Sequence, residues 1–81
     1  NYSNIKKIDI GSEIEVLGEK SLADLLDLDT LIIRATTPPL AGQNFFLNSG
    51  SEKFVFLVPK ESLDAYKTHK EFSKLKPKSL N

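Results

Sequence analysis

The sequence contains no cysteine, methionine or tryptophan, and it has a single histidine and a single arginine. Without cysteine the chain can form neither disulfides nor the thiolate metal sites that hold many short proteins together. No apolar run approaches the roughly 20 residues that a membrane-spanning helix needs. The N-terminal residues also lack the apolar stretch of a signal peptide. We therefore expect a soluble chain with no targeting or transmembrane segment, and its compartment stays unknown.

The missing methionine at the first position predicts a processed product, a domain of a longer protein, or a chain that begins with a foreign residue. Within the chain, the motifs of nucleotide hydrolysis, dinucleotide binding, zinc proteolysis and serine hydrolysis are absent. Asp24, Asp27 and Asp29 are close in sequence, but their spacing does not match a calcium-binding loop. We predict no metal site and no cofactor, and a non-enzymatic function is favoured.

The chain has 81 residues, of which 40% are hydrophobic and 27% charged, and its formal net charge is +0. These values are typical of one small globular domain, which we place over residues 1–81 with 76–81 as a frayed tail. The charge is unevenly distributed, because acidic residues prevail in 1–40 and lysines prevail in 41–81. Such a two-sided molecule favours attraction to a charged partner without fixing the partner's type.

The N-terminal half predicts a strand, a helix and a second strand. Residues 7–16 alternate between apolar and polar, which indicates one long strand bent at its glycine. A serine and aspartate start signature, followed by leucines at i, i+3 and i+4, predicts a short helix over 21–29. The apolar run within 30–36 predicts a strand buried on both faces. Pro38 and Pro39 end that strand, since neither can donate to a ladder.

The C-terminal half predicts a β-hairpin over residues 45–58, with a polar, glycine-containing turn. A helix is predicted from Pro59 to about Leu75, and Pro77 ends it. The element order is therefore β-α-β-β-β-α. We predict an α+β fold with a mostly antiparallel sheet of three or four strands and two helices, of which the C-terminal helix packs on one sheet face.

Wound as a helix, the C-terminal segment places Lys67, Lys70 and Lys74 on one stripe. A row of ammonium groups could follow a phosphate backbone, so a nucleic-acid-binding domain is an alternative function. The opposing interpretation is a solvated helix face whose lysines pair locally with Asp64 and Glu71. We favour that interpretation, because no arginine and no aromatic residue supports the stripe.

A third function, a small metal-independent ribonuclease, would use His69, Arg34 and Tyr66. In small metal-free ribonucleases, an arginine on a sheet and a histidine on a nearby helix act on the scissile phosphate. The simpler interpretation is that His69 packs beside Tyr66 on the apolar side of the helix and that Arg34 pairs with a carboxylate. The sequence does not establish that His69 and Arg34 meet.

The leading hypothesis is a small protein-interaction module, such as an inhibitor, an accessory protein or a binding domain. It would use an exposed sheet face or edge together with the loop from Pro38 to Phe46. Adjacent prolines hold an extended conformation at low entropic cost, and a strand directs successive side chains to opposite faces. The candidate partner-binding residues are Pro38, Pro39, Leu40, Phe45 and Phe46. The expected partner is another protein or a second copy that makes an oligomer.

Overall fold

Every strand that the structure describes runs parallel to its neighbours. The computed structural model describes residues 5–19, 21–47 and 49–80. In these residues the strands are β1 (Lys7–Ile10), β2 (Val16–Leu17), β3 (Thr30–Ile33), β4 (Leu40–Ala41), β5 (Val55–Val58) and β6 (Lys78–Ser79). The helical elements are α1 (Leu63–Thr68) and 3₁₀ helices over Ser49–Glu52, Lys60–Ser62 and Phe72–Leu75.

The strands form two sheets, one in the order β1-β3-β5-β6 and one of β2 and β4. We call the stretch of chain from one strand of the larger sheet to the start of the next strand a pass. In this sheet Thr30 pairs with Lys7 of the preceding pass and with Val55 of the following pass. In the smaller sheet Val16 pairs with Leu40. The pairings join points at similar separations along the sequence, so successive passes of the chain stack on one another. This is the arrangement of a short solenoid.

The core lies inside the stacked passes of the chain and beneath the C-terminal helical segment. On the inner face of the larger sheet, Leu31, Ile33, Phe56 and Val58 have at most 1% of their surface exposed. The register places Ile8 beside Leu31 and Leu31 beside Phe56, so each pass adds one apolar side chain to the same row. The rows belong to one continuous cluster of buried residues that extends from Leu17 to Leu75.

Aromatic rings fill the C-terminal part of this core. Phe72 lies 5.3 Å from Phe45, 5.6 Å from Phe56 and 5.2 Å from Tyr66, measured between ring centroids. The three rings come from a loop, from β5 and from α1, and none has more than 1% of its surface exposed. Edge-to-face and offset contacts at these distances add stability beyond the area that they bury.

The predicted antiparallel sheet and its hairpin over residues 45–58 are wrong, because the sheet is parallel. Phe45 and Leu47 lie in a turn, and their carbonyls accept hydrogen bonds of 2.8 Å from the N–H groups of Leu22 and Asp24. The first apolar run of the expected hairpin thus pairs with the preceding pass, and only β5 joins the larger sheet. An apolar run marks a buried segment but does not determine its partner. Residue 48 of the predicted turn lies outside the described residues.

The predicted helix over residues 21–29 is also wrong. Asp24 has a φ of +63°, which a right-handed helix does not contain. The N–H groups of Leu22 and Asp24 donate to the later pass, and Leu25 accepts from Gly50 N–H at 3.0 Å. Bonds to a neighbouring pass replace the i to i−4 bonds of a helix. Of the three leucines on the predicted helix face, Leu25 is buried and Leu22 half-buried, but Leu26 is 61% exposed, so the helical spacing does not mark one core-facing stripe.

The other predicted elements are shorter than expected. The first long strand divides into β1 and β2, and the strand predicted over residues 30–36 ends at Ile33. The helix predicted to reach Leu75 ends at Thr68, because His69 adopts an extended conformation with ψ 138°. The His69 Nδ1 atom then accepts N–H bonds from Glu71 at 3.1 Å and Phe72 at 3.4 Å. These bonds satisfy donors at the start of the 3₁₀ helix that follows.

Candidate interaction surface

The outer face of the larger sheet is an apolar surface that is partly open to solvent, although Val16 and Leu40 of the smaller sheet are more exposed, at 57% and 72%. Alternation along the strands directs Asp9, Ile32, Leu57 and Lys78 away from the core, and the register aligns them in one row across all four strands. Ile32 is shielded within this row, with 5% of its surface exposed. Leu57 is half-buried, and Val55 on the same face is 44% exposed. We call Thr30, Ile32, Val55 and Leu57 the apolar strip.

The helical segment covers the inner face, where the Tyr66 ring lies 5.8 Å from that of Phe56. Among the described residues, no helix packs over the apolar strip. Parallel sheets are normally covered on both faces, since their strands carry apolar residues on each side. On this face Ile32 is buried while Val55 and Leu57 keep surface that water reaches, so the face is only partly covered.

A salt bridge borders the apolar strip at the β1 edge. The Arg34 guanidinium donates to both carboxylate oxygens of Asp9, with Nε–Oδ1 and Nη2–Oδ2 distances of 2.7 and 2.8 Å. This hydrogen bonding holds the pKa of Asp9 below its ordinary value and that of Arg34 above it. Both side chains are substantially exposed, so the pair contributes little to folding. The two parallel hydrogen bonds hold the Arg34 and Asp9 side chains in a fixed orientation beside Ile32.

A cavity lies at the other side of the apolar strip, where β5 and β6 separate. Pairing between these strands begins at Leu57 and Lys78, so the residues before them are not held together by the ladder. The space between them has a volume of about 320 Å³. Its charged lining consists of Lys53, Lys74, Lys76 and Lys78. We call this space the lysine cavity.

The floor of the lysine cavity is apolar. Phe54, Phe56 and Leu75 contribute to its lining, and all three side chains are buried. Val55 also lines it, so the cavity and the apolar strip share that residue. The wall therefore combines positive charge with aromatic and aliphatic surface, and its described lining contains no acidic side chain.

The structure separates the five predicted partner-binding residues. Phe45 and Phe46 belong to the core, with 0% and 6% of their surfaces exposed, and Pro39 is also buried. Pro38 is half-buried. Leu40 lies in β4 and is 72% exposed, so it is the member of the set that solvent reaches most readily.

The three lysines of the predicted nucleic-acid stripe do not share one helix. Lys67 belongs to α1, Lys70 follows the end of that helix, and Lys74 lies in the next 3₁₀ helix. Lys74 Nζ lies 3.4 Å from Oε1 of Glu71, whose side chain is 7% exposed. The same Glu71 oxygen accepts the backbone N–H of Asn44 at 3.3 Å. Lys74 thus combines a local ion pair with a place in the lysine cavity.

Each residue of the predicted ribonuclease set has a structural contact. The buried Tyr66 hydroxyl donates to the Ala35 carbonyl at 2.7 Å. Burial raises the pKa of Tyr66 to about 12. His69 accepts backbone N–H groups through Nδ1, and Arg34 is engaged by Asp9. These contacts explain the three side chains without a substrate.

Two signals in the sequence point to the residues that the predictions missed. Lys74, Lys76 and Lys78 alternate with the buried residues Leu75 and Pro77, where the chain passes from the 3₁₀ helix into β6. In addition, the spacing Ile-x-x-Ile-x-Ile over residues 5–10 recurs as Leu-x-x-Leu-x-Ile over 28–33. This recurrence is the sequence counterpart of the stacked passes.

No protein-family model, no curated protein and no solved structure matches this chain. In the described ranges, no cluster of three or more histidine and carboxylate residues could hold a metal ion. Nor does any helix in that part of the chain have the length and apolar character needed to cross a bilayer.

Proposed function

We propose that this protein is a small interaction module that binds a partner protein through the outer face of its parallel sheet. The observation that carries the proposal is the apolar strip, since a parallel sheet is normally covered on both faces. Val55 and the half-buried Leu57 can lose their remaining water contact only when another surface covers them. Solenoids commonly use such an extended face for binding.

The charges around the apolar strip favour an acidic partner segment with apolar side chains. The strands contribute exposed Lys7 and Lys78, while Asp9 is neutralised by Arg34. A partner carboxylate near either lysine would gain a complementary contact, whereas a basic partner would meet like charge. The apolar side chains of the partner would supply the buried area that stabilises the complex.

Selection of peptides from a random library displayed on phage tests the proposal directly. We expect the immobilised protein to enrich peptides that combine aromatic or branched aliphatic residues with Asp or Glu. The variant Val55→Glu should abolish binding of the enriched peptides, because it places a charge in the centre of the contact. The matched control is Leu26→Glu, since Leu26 is 61% exposed and outside the larger sheet.

Amide chemical shifts of the ¹⁵N-labelled protein locate the enriched peptides. Shift changes in β3 and β5 that Val55→Glu removes and Leu26→Glu leaves intact would support the proposal. Failure to enrich any peptide, or equal binding by Val55→Glu, would contradict it. A concentration-dependent dimer that Val55→Glu dissociates would instead assign the face to a second copy of the chain.

Nucleic-acid binding through Lys67, Lys70 and Lys74 is the other function that the sequence suggests. Filter binding of RNA and DNA at two salt concentrations separates it from the proposed function. A phosphate-tracking surface loses affinity steeply as salt rises, because binding releases counterions. Retention that depends strongly on salt, and that Lys67→Gln together with Lys70→Gln abolishes, would favour this alternative.

A further inference from the structure

We propose that the lysine cavity between β5 and the 74–78 segment is a binding site for a small organic anion with an apolar ring or chain. The inference does not depend on the proposed protein partner. It rests on the coincidence of three properties in one space: its size, its charge and its apolar floor. Each property is independently visible in the structure.

The size suits a small molecule. Ligand sites in proteins commonly measure ~300–1,000 Å³, and the lysine cavity measures about 320 Å³. It exists because the β5–β6 ladder begins only at Leu57 and Lys78, so the preceding segments diverge. The buried residues Leu75 and Pro77 anchor the 74–78 segment to the core, which fixes the cavity wall opposite β5.

The charge specifies an anion. Lys53, Lys74, Lys76 and Lys78, four of the ten lysines in the chain, line a space whose described lining contains no acidic residue. An anion in this space would be attracted by the ammonium groups of its lining. A cleft lined by charge of one sign also concentrates counter-ions of the opposite sign. Glu71 neutralises part of the Lys74 charge, so Lys53, Lys76 and Lys78 are the main contributors.

The floor specifies an apolar body. Phe54 and Leu75 retain 7% and 8% exposure, and Phe56 retains 1%, so their uncovered edges form the apolar part of the lining. A bare phosphate would contact the lysines but would leave these edges in water. A phosphate or carboxylate attached to an aromatic or aliphatic group would satisfy both parts of the cavity.

The test titrates the protein with 1-naphthyl phosphate, inorganic phosphate and 1-naphthol, and follows the binding by amide chemical shifts. We expect saturable binding of 1-naphthyl phosphate with a Kd at least tenfold lower than that of either other compound. The shift changes should concentrate in residues 53–57 and 74–78. Raising the salt concentration should weaken the binding, since the lysines are exposed.

The diagnostic variant combines Lys53→Gln with Lys76→Gln, which removes two charges and keeps the side-chain length. It spares Lys74, whose loss would remove the cation that pairs with Glu71. The matched control combines Lys60→Gln with Lys67→Gln, two exposed lysines outside the cavity lining that give the same change in net charge. We expect at least a tenfold rise in Kd for the first variant and less than a twofold rise for the control.

Three outcomes would overturn the inference: no saturable binding, equal weakening in the two variants, or equal affinity for 1-naphthyl phosphate and 1-naphthol. The peptide selection described above answers a separate question. Because Val55 belongs to both surfaces, the variant that combines Lys53→Gln with Lys76→Gln separates them. Peptides bound at the apolar strip should keep their affinity for this variant, whereas 1-naphthyl phosphate should lose it.

Discussion

The first and the last pass of the chain contribute different types of side chain to the core. The first pass contributes Ile5, Ile8, Ile10 and Ile14 to the core, and all four are only partly buried. The last pass rests on rings that are almost fully buried, contributed by β5, by α1 and by the segment after it. The core is therefore aliphatic at the first pass of the stack and aromatic at the last pass.

The difference teaches that a stacked fold distributes its stability unevenly. Among the strands that the structure describes, β1 has a neighbour on one side only, whereas β3 and β5 each lie between two strands. An edge pass buries less apolar area, and regions with few buried contacts open locally at lower free energy than the rest. We expect the C-terminal passes to carry most of the free energy of unfolding and the first pass to open first.

Replacing the central ring should give the largest loss. Phe72→Ala is expected to lower the free energy of unfolding by about 3–5 kcal/mol, because it removes a ring that contacts four other aromatic rings and leaves a cavity. Ile8→Ala should cost only ~1–2 kcal/mol, since Ile8 is half-buried. Chemical denaturation followed by circular dichroism measures both. Equal losses would contradict the proposed difference between the passes.

Substitution of two glycines, Gly50 and Gly18, tests whether the turns between passes require glycine. Gly50 has a φ of +50°, and a Cβ there would collide with the Leu28 carbonyl of the preceding pass. Gly50→Ala should therefore destabilise the protein by about 2–4 kcal/mol through backbone strain and overpacking. Gly18→Ala is the control, because a Cβ at that position meets nothing within 4 Å. Thermal unfolding at indistinguishable temperatures for the two variants would refute this account.

The Tyr66 hydroxyl joins the aromatic cluster to the chain after β3. Tyr66→Phe should lower the free energy of unfolding by about 1–3 kcal/mol at neutral pH, because the buried Ala35 carbonyl loses its donor.

Tyr66 should also affect stability at alkaline pH. Its pKa is raised from 10.0 to about 12, so the unfolded chain releases the proton first. Stability should therefore fall as pH rises from 10 toward 12, and this part of the fall should be absent in Tyr66→Phe. Denaturation curves at a series of pH values test the prediction. Parallel pH profiles for the wild-type protein and the variant would contradict it.

The ion pair at the β1 edge should give the smallest effect. Asp9→Asn removes the charge partner of Arg34, but the pair is exposed and weakly stabilising. Because the pKa of Asp9 is lowered in the folded state, its contribution is present above the ordinary value of 3.8 and is lost as pH falls below it. A carboxyl titration followed by NMR should place the Asp9 midpoint below 3.8. A midpoint at or above that value would contradict the contact.

The sequence allowed the mixed helical and strand content and several buried segments to be predicted, but not the way in which those segments pair. Leu31, Ile33, Phe56 and Val58 were identified in buried strands because apolar runs of this kind rarely face water. The direction of pairing could not be read from those runs, since parallel and antiparallel partners bury the same residues. Leu22, Leu25 and Leu26 have the spacing of one helix face, but that spacing could not show that the backbone N–H groups of Leu22 and Asp24 bond to the later pass.

The candidate surfaces were less accessible to prediction. An exposed sheet face was expected, but the residues that form it depend on the register, and the register came only with the structure. The lysine cavity was missed because its charged residues come from two segments that are distant in the sequence. The alternation of exposed lysines with Leu75 and Pro77 was the available clue, and the expected frayed tail obscured it. Asn81 of that tail lies outside the described residues.

The stacking of passes also has a consequence for the order in which the chain folds. Neighbouring strands of the larger sheet are separated by similar lengths of chain, as shown by the pairing of Leu57 with Lys78 and of Thr30 with Val55. We therefore expect folding to proceed through successive loop closures of similar length among the described strands. A nucleus formed by the aromatic passes can serve as a template on which the earlier strands add one at a time.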